Sequence, residues 1–151
     1  LITPPVVDLG IFPDRLAQVL DRNEVACLRL ALAGTDDYDL GRVADALRAV
    51  AHDRDVAVVI DTHVALAARH GLDGVHLLDS ARSVGAGAQA DPDLGAWGSE
   101  MVEVPVVAEG ALSVTVIRDL APVTDFFGIG DEIWSGDDPA AALELLIAAM
   151  G

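Results

Sequence analysis

Residues 56–79 read VAVVIDTHVALAARHGLDGVHLLD, and the order of residues within that stretch decides the fold. An apolar run, Val56–Ile60, ends in Asp61. Val64–His70 then has helical spacing and stops at Gly71, and a second apolar run, Gly74–Leu78, ends in Asp79. Short apolar runs without strict alternation read as strands buried on both faces, and a helix between two of them is the crossover that parallel pairing requires. The stretch is therefore a βαβ unit whose two strands are expected side by side and parallel.

The same alternation continues in both directions. Leu1–Val7, Val25–Leu32, Val104–Ala108 and Phe126–Gly130 read as further strands. Helical patterns lie at Pro13–Asp21, Leu40–Ala51, Pro92–Val102, Val114–Leu120 and Pro139–Met150, the last capped by Asp137 or Asp138. Repeated βα units describe a parallel sheet covered by helices, within one domain of 151 residues. An open doubly wound sheet and a closed (β/α)8 barrel both fit six units, although a barrel usually takes ~200 residues or more. One segment departs from the rhythm. Residues 80–95, SARSVGAGAQADPDLG, begin like a helix and then turn into Gly, Ala and Asp with no strand, so either a long loop lies here or residues are absent.

Composition excludes several chemistries. The formal charge is −16, and such a field repels polyphosphate, which argues against nucleic acid or an anionic membrane surface as partner. All nine basic residues are arginines, so no Schiff base and no P-loop lysine can form. The single cysteine, Cys27, sits in an apolar run and reads as a small core residue. No apolar run approaches the ~20 residues that span a bilayer, and LITPPVVDLG lacks the basic flank of a signal peptide, so a soluble cytoplasmic protein is expected. Trp97 and Trp134 read as packing residues.

The segments LIT, VVIDTHVALAARHGLDGVHLLDSA, VPVVAEGAL and DFFGIGDEIW occur in an order that resembles the thiamine-phosphate synthase superfamily, including its thiazole tautomerase branch. The resemblance covers strands one to four and the last two strands of that family, and DGVHL is its most specific part. It implies an α/β (β/α)8 TIM barrel spanning residues 1–151 as a single domain, interrupted near residues 84–85. Roughly forty to fifty residues, holding strands five and six, would be missing between strands four and seven. It also implies a site at the carboxyl ends of the strands, where Arg29, Asp61, Asp79, Glu109 and Asp131 fall.

Family strand two reads like Gln-Leu-Arg-Glu-Lys, and CLRLA keeps only Leu28 and Arg29. Arg29 is the candidate for a phosphate or pyrophosphate, with pairing to a neighbouring acid as the other reading. Asp61 and Thr62 stand where the family has Asn-Asp, and Ala81 stands where it has a metal-binding acid. Asp61 and Asp79 are thus the remaining acids that could serve Mg²⁺, Asp79 being the metal candidate, against a role for both as solvated loop acids with Asp79 as a helix cap. His76 matches the histidine of the family's GVHL and, with Asp61, is the catalytic candidate; a packed structural histidine is its other reading. Gly110, Ala111, Gly130 and Asp131 match the phosphate-binding loops, where Asp131 and Glu132 replace a small neutral pair. These substitutions point to a tautomerase-like or divergent protein of thiamine metabolism rather than a full Mg²⁺-dependent synthase. The alternative is an inactive barrel that binds a small molecule or a partner protein. The implied ligand is a small phosphorylated heterocycle, with a homo-oligomer left open.

Overall fold

The computed structural model describes residues 1–77 and 106–151. In chain order these form α1 (Phe12–Arg22), β1 (Cys27–Leu30), α2 (Asp37–His52), β2 (Ala57–Asp61), α3 (Val64–Arg69) and β3 (Gly74–His76). They continue with β4 (Val107–Glu109), α4 (Val114–Leu120), a 3₁₀ turn (Ala121–Val123), β5 (Phe126–Gly128), α5 (Asp131–Trp134) and α6 (Pro139–Met150). The expected helix at Pro92–Val102 and the expected interruption near residues 84–85 lie outside the described residues.

β1, β2 and β3 form one parallel sheet in that order, with Leu30 opposite Ile60 and Ile60 opposite Val75. The βαβ unit read from residues 56–79 thus has the expected neighbours and direction. β4 and β5 form a second parallel pair. Residues 1–3 lie between the two sheets: Ile2 bridges Arg29 in parallel, Thr3 N–H donates to Arg29 O at 3.0 Å, and Ile2 N–H donates to Ile129 O at 2.6 Å. Six segments therefore stand side by side in the order β4, β5, residues 1–3, β1, β2, β3. Beyond Thr3 the first run contributes no N–H to a ladder, because Pro4 and Pro5 have none, but Pro5 O still accepts from Ala33 N–H at 2.8 Å.

The pleat sorts the side chains. Leu28 and Leu30 of β1 and Val58 and Ile60 of β2 are almost wholly buried, packed in one core with Leu16 and Val19 of α1 and Ala44 and Leu47 of α2. Cys27, Arg29, Val59 and Asp61 alternate with them and so point to the opposite face. That face borders a cavity of about 530 Å³ lined by Leu1, Cys27, Val59, His76, Val107 and Phe126 among others. Helix ends follow local chemistry. Asp36 caps α2 by accepting from the N–H groups of Tyr38 and Asp39, and of the two candidates for α6 it is Asp138 that caps, accepting from Ala141 N–H at 2.9 Å. Trp134 is buried against Phe12, and its indole N–H donates to Ile2 O at 2.7 Å, tying α5 to the first strand segment.

Candidate functional site

Parallel strands bring their carboxyl ends to one rim, and there the chain collects its charged side chains. Arg29 lies one residue before the end of β1, opposite Val59, with Asp61 two residues further along β2. A guanidinium on an otherwise apolar strand must find acceptors. Arg29 Nε donates to Asp61 Oδ1 at 2.7 Å and Nη2 to Oδ2 at 3.1 Å, a two-point contact between planar groups. Its Nη1 donates to Glu109 Oε2 at 2.7 Å, at the end of β4. Burial works against the Arg29 charge, yet the bonds and fields of Asp61 and Glu109 outweigh it and raise the pKa above the ordinary arginine value. The reading of Arg29 as an arginine paired with neighbouring acids therefore matches the geometry, and its donors are turned toward carboxylates.

Thr62 follows Asp61 with φ +58°, a left-handed conformation that is unusual for a β-branched residue and costs of order 1–3 kcal/mol. Two bonds hold it: Thr62 N–H donates to His76 O at 3.0 Å, and His63 N–H donates to Asp61 O at 2.8 Å. His76 is the register partner of Asp61 on β3 and is half-buried, with its side chain at the wall of the 530 Å³ cavity alongside Arg29 and Glu109. The structure so brings Arg29, Asp61 and His76 to one face of the sheet. Asp79 lies outside the described residues.

The loops after β4 and β5 form the other side of the rim. A cavity of about 400 Å³ is lined here by Thr3, Arg29, Glu109, Gly110, Asp131 and Glu132, among others. Gly110 has φ +90° and Ala111 +49°, so two successive residues turn in the left-handed region, a strain that only the glycine escapes. Gly130 is buried, and a Cβ there would come within 3.3 Å of Ile2 Cβ. Asp131 is exposed. Glu132, by contrast, folds back: Oε1 accepts from Leu112 N–H at 3.0 Å and Oε2 from Gly130 N–H at 2.8 Å. Burial pushes its carboxyl up, but the N–H groups of Leu112, Gly130 and Glu132 itself prevail and leave its pKa below the ordinary glutamate value.

Sequence reasoning did not single out Thr3, which is buried and accepts from Ala31 N–H through Oγ1 at 3.1 Å, fixing the first segment to the residue after β1. A polar residue between apolar neighbours was the available signal. Glu109 was placed at a strand end but not matched to Arg29, since only the three-dimensional arrangement pairs residues 80 positions apart.

Among the described residues, no cluster of three or more His, Cys, Asp and Glu side chains could hold a metal ion. Asp61, the nearest acid to the family position, has both oxygens on the Arg29 guanidinium, so the described donors do not fit Mg²⁺. Nor is any helix among the described residues long and apolar enough to cross a membrane.

No family model matches the chain. Thiamine-phosphate synthase of Rhodospirillum centenum is 31% identical, the alignment covering 95% of this chain and 92% of that protein. Thiamine-phosphate synthase of Erythrobacter litoralis is 28% identical, with 93% and 90% covered. The alignment to the first runs over 191 positions, while 95% of 151 residues is about 143, so about 48 of its positions face no residue of this chain. Among solved structures, thiamine phosphate pyrophosphorylase from Pyrococcus furiosus shares the α/β fold with a TM-score of 0.72 at 14% identity, over 99% of this chain and 93% of that one.

Proposed function

The chain belongs to the thiamine-phosphate synthase family, and we propose that it is a divergent, tautomerase-like member that binds one heterocycle of thiamine metabolism at its strand-end rim. In this reading the six parallel segments are part of a (β/α)8 barrel whose fifth and sixth strands have no counterpart among the described residues. A joining reaction would need to stabilise a departing pyrophosphate, the charge-compensating role that Mg²⁺ and free cationic side chains perform. One observation carries the proposal: the guanidinium of Arg29 is clamped between Asp61 and Glu109, which take three of its five N–H donors and offset its charge.

Proton transfer on a bound ring needs less. It takes a general acid/base within reach of the ring, and His76 supplies an imidazole at the wall of the cavity. In its neutral form His76 accepts a ring proton through one nitrogen and returns it at another position. Asp61, the register partner of His76 on the neighbouring strand, is held in place by Arg29. The test has two arms. Incubation with both thiamine precursors and Mg²⁺ is expected to form no thiamine phosphate. Solvent deuterium exchange into the thiazole, followed by NMR, is expected to occur with the parent and to slow about 100-fold or more in His76→Ala. Coupling of the precursors at a synthase-like rate would refute the proposal.

A second reading, a barrel that binds without catalysis, is favoured by the pairing of Arg29 with two acids. It predicts binding of the heterocycle with no deuterium exchange in either protein.

A further inference from the structure

The loops after β4 and β5 each aim one backbone N–H at a single point. Leu112 N–H and Gly130 N–H reach the two oxygens of the same carboxylate at 3.0 and 2.8 Å. Converging amides on small-residue loops at the ends of adjacent parallel strands make a grip for an anion, and in barrel enzymes such loops commonly seat a phosphate. Here the anion is already part of the chain. The loop cannot easily back away to admit a second one, because Gly130 lies against Ile2, 3.3 Å from where a Cβ would stand.

The surrounding charge points the same way. The ionisable side chains lining this cavity are Arg29, Glu109, Asp131 and Glu132, one cation against three acids, and Arg29 is engaged by Glu109 and Asp61. An incoming phosphate ester would have to displace Glu132 from both amides and would then leave that carboxylate beside it. A cationic ring would meet a favourable potential, a neutral one no penalty, and either could donate a hydroxyl to the carboxylates.

We propose that Glu132 is the specificity-determining residue of the rim: its carboxylate occupies the amide pair and so excludes phosphate esters, leaving the site to an unphosphorylated, neutral or cationic heteroaromatic alcohol. The choice of a thiazole as the ring rests on the family reading above; the exclusion of phosphate does not.

Calorimetric titration of the parent, Glu132→Ala and Glu132→Gln with inorganic phosphate, a thiazole alcohol and its phosphate ester tests both parts. The parent is expected to bind the alcohol about tenfold or more tightly than the ester, and Glu132→Ala to bind phosphate and ester about tenfold or more tightly than the parent does, since freed amides gain a charged partner. Should Glu132→Ala not fold, Glu132→Gln, uncharged and nearly isosteric, is expected to show a smaller gain of the same sign. A parent that binds inorganic phosphate or the ester as tightly as the variants overturns the exclusion. A gain in phosphate affinity with no binding of the thiazole alcohol by any of the three proteins supports the exclusion and overturns the ring assignment.

Discussion

The guanidinium of Arg29 holds both carboxylate oxygens of Asp61 across neighbouring parallel strands, at 2.7 and 3.1 Å, and each of the two side chains is only 15% exposed. Glu109 joins the pair at 2.7 Å but is 45% exposed, so the cluster has a sheltered bond and a wetter one. The two halves of a sheltered pair are not equivalent when one has a substitute partner. Asp61→Asn leaves Arg29 with Glu109, whereas Arg29→Ala leaves two carboxylates facing each other without a cation. Loss of one partner from a buried pair costs about 3–5 kcal/mol, and partial exposure here reduces that. Urea denaturation is expected to show Arg29→Ala destabilised by about 3 kcal/mol and Asp61→Asn by about 1–2 kcal/mol. An Asp61→Asn variant less stable than Arg29→Ala would mean that Glu109 does not share the arginine.

Cys27 begins β1 and borders the 530 Å³ cavity. Burial is the main cause that pushes its thiol pKa above the ordinary value, reinforced by the charge of Asp73 and offset in part by Val59 N–H. The thiolate is the reactive form, so alkylation of the folded protein at pH 7.5 is expected to run about tenfold or more slower than in urea. Equal rates in the two states would place Cys27 in an open, unperturbed setting.

Gly128 sits where β5 passes Glu109: a Cβ added there would lie 3.0 Å from Glu109 Cβ and 3.1 Å from Ile2 Cδ1. Both neighbours are held, Glu109 by Arg29 and Ile2 by its pairing with Arg29 and Ile129. Gly128→Ala is therefore expected to destabilise the protein by about 1–3 kcal/mol through overpacking, read as a lower urea midpoint with unchanged slope. A stability equal to the parent's would show that Glu109 turns away freely.

What the sequence disclosed and what it withheld divide by range. The βαβ unit at residues 56–79 was legible because short unalternating apolar runs and an intervening helix have one common arrangement, and β2 and β3 are the parallel neighbours it implies, with a register, Ile60 opposite Val75, that only the structure shows. Arg29 on an apolar strand announced that a partner exists, but Asp61 and Glu109 could be chosen only once the strands were aligned. Glu132 read, with Asp131, as an acid standing in place of a small neutral pair in the phosphate loop. Its backbone partners lie 2 and 20 residues away, and an N–H two residues back in the chain together with one from a separate loop leaves no periodic trace. The left-handed backbone of Thr62 was equally hidden, since threonine is a residue type that argues against it.

Glu132 also gives the fold a dependence on acid. Its folded pKa lies below the ordinary glutamate value because three backbone N–H groups outweigh the burial that would raise it. The native state therefore binds fewer protons than the unfolded chain between the two values, and stability rises with pH across that window. The contribution of Glu132 is fully present above the unfolded glutamate pKa, near 4.3, and is lost as pH falls through the lower folded value. Other carboxylates act in the same direction: Asp73 is held low by Val58 N–H and His52, and Asp138 by Ala141 N–H and Arg22. The Glu132 share can be isolated by comparison with Glu132→Gln, which has no proton to bind. Thermal melts from pH 7 down to pH 3 are expected to show the parent more stable than Glu132→Gln at neutral pH, with the gap narrowing as pH falls below the unfolded value. A gap that stays constant over the whole range would mean that the carboxylate charge contributes nothing at the amide pair, and that any stabilisation there comes from neutral hydrogen bonds alone.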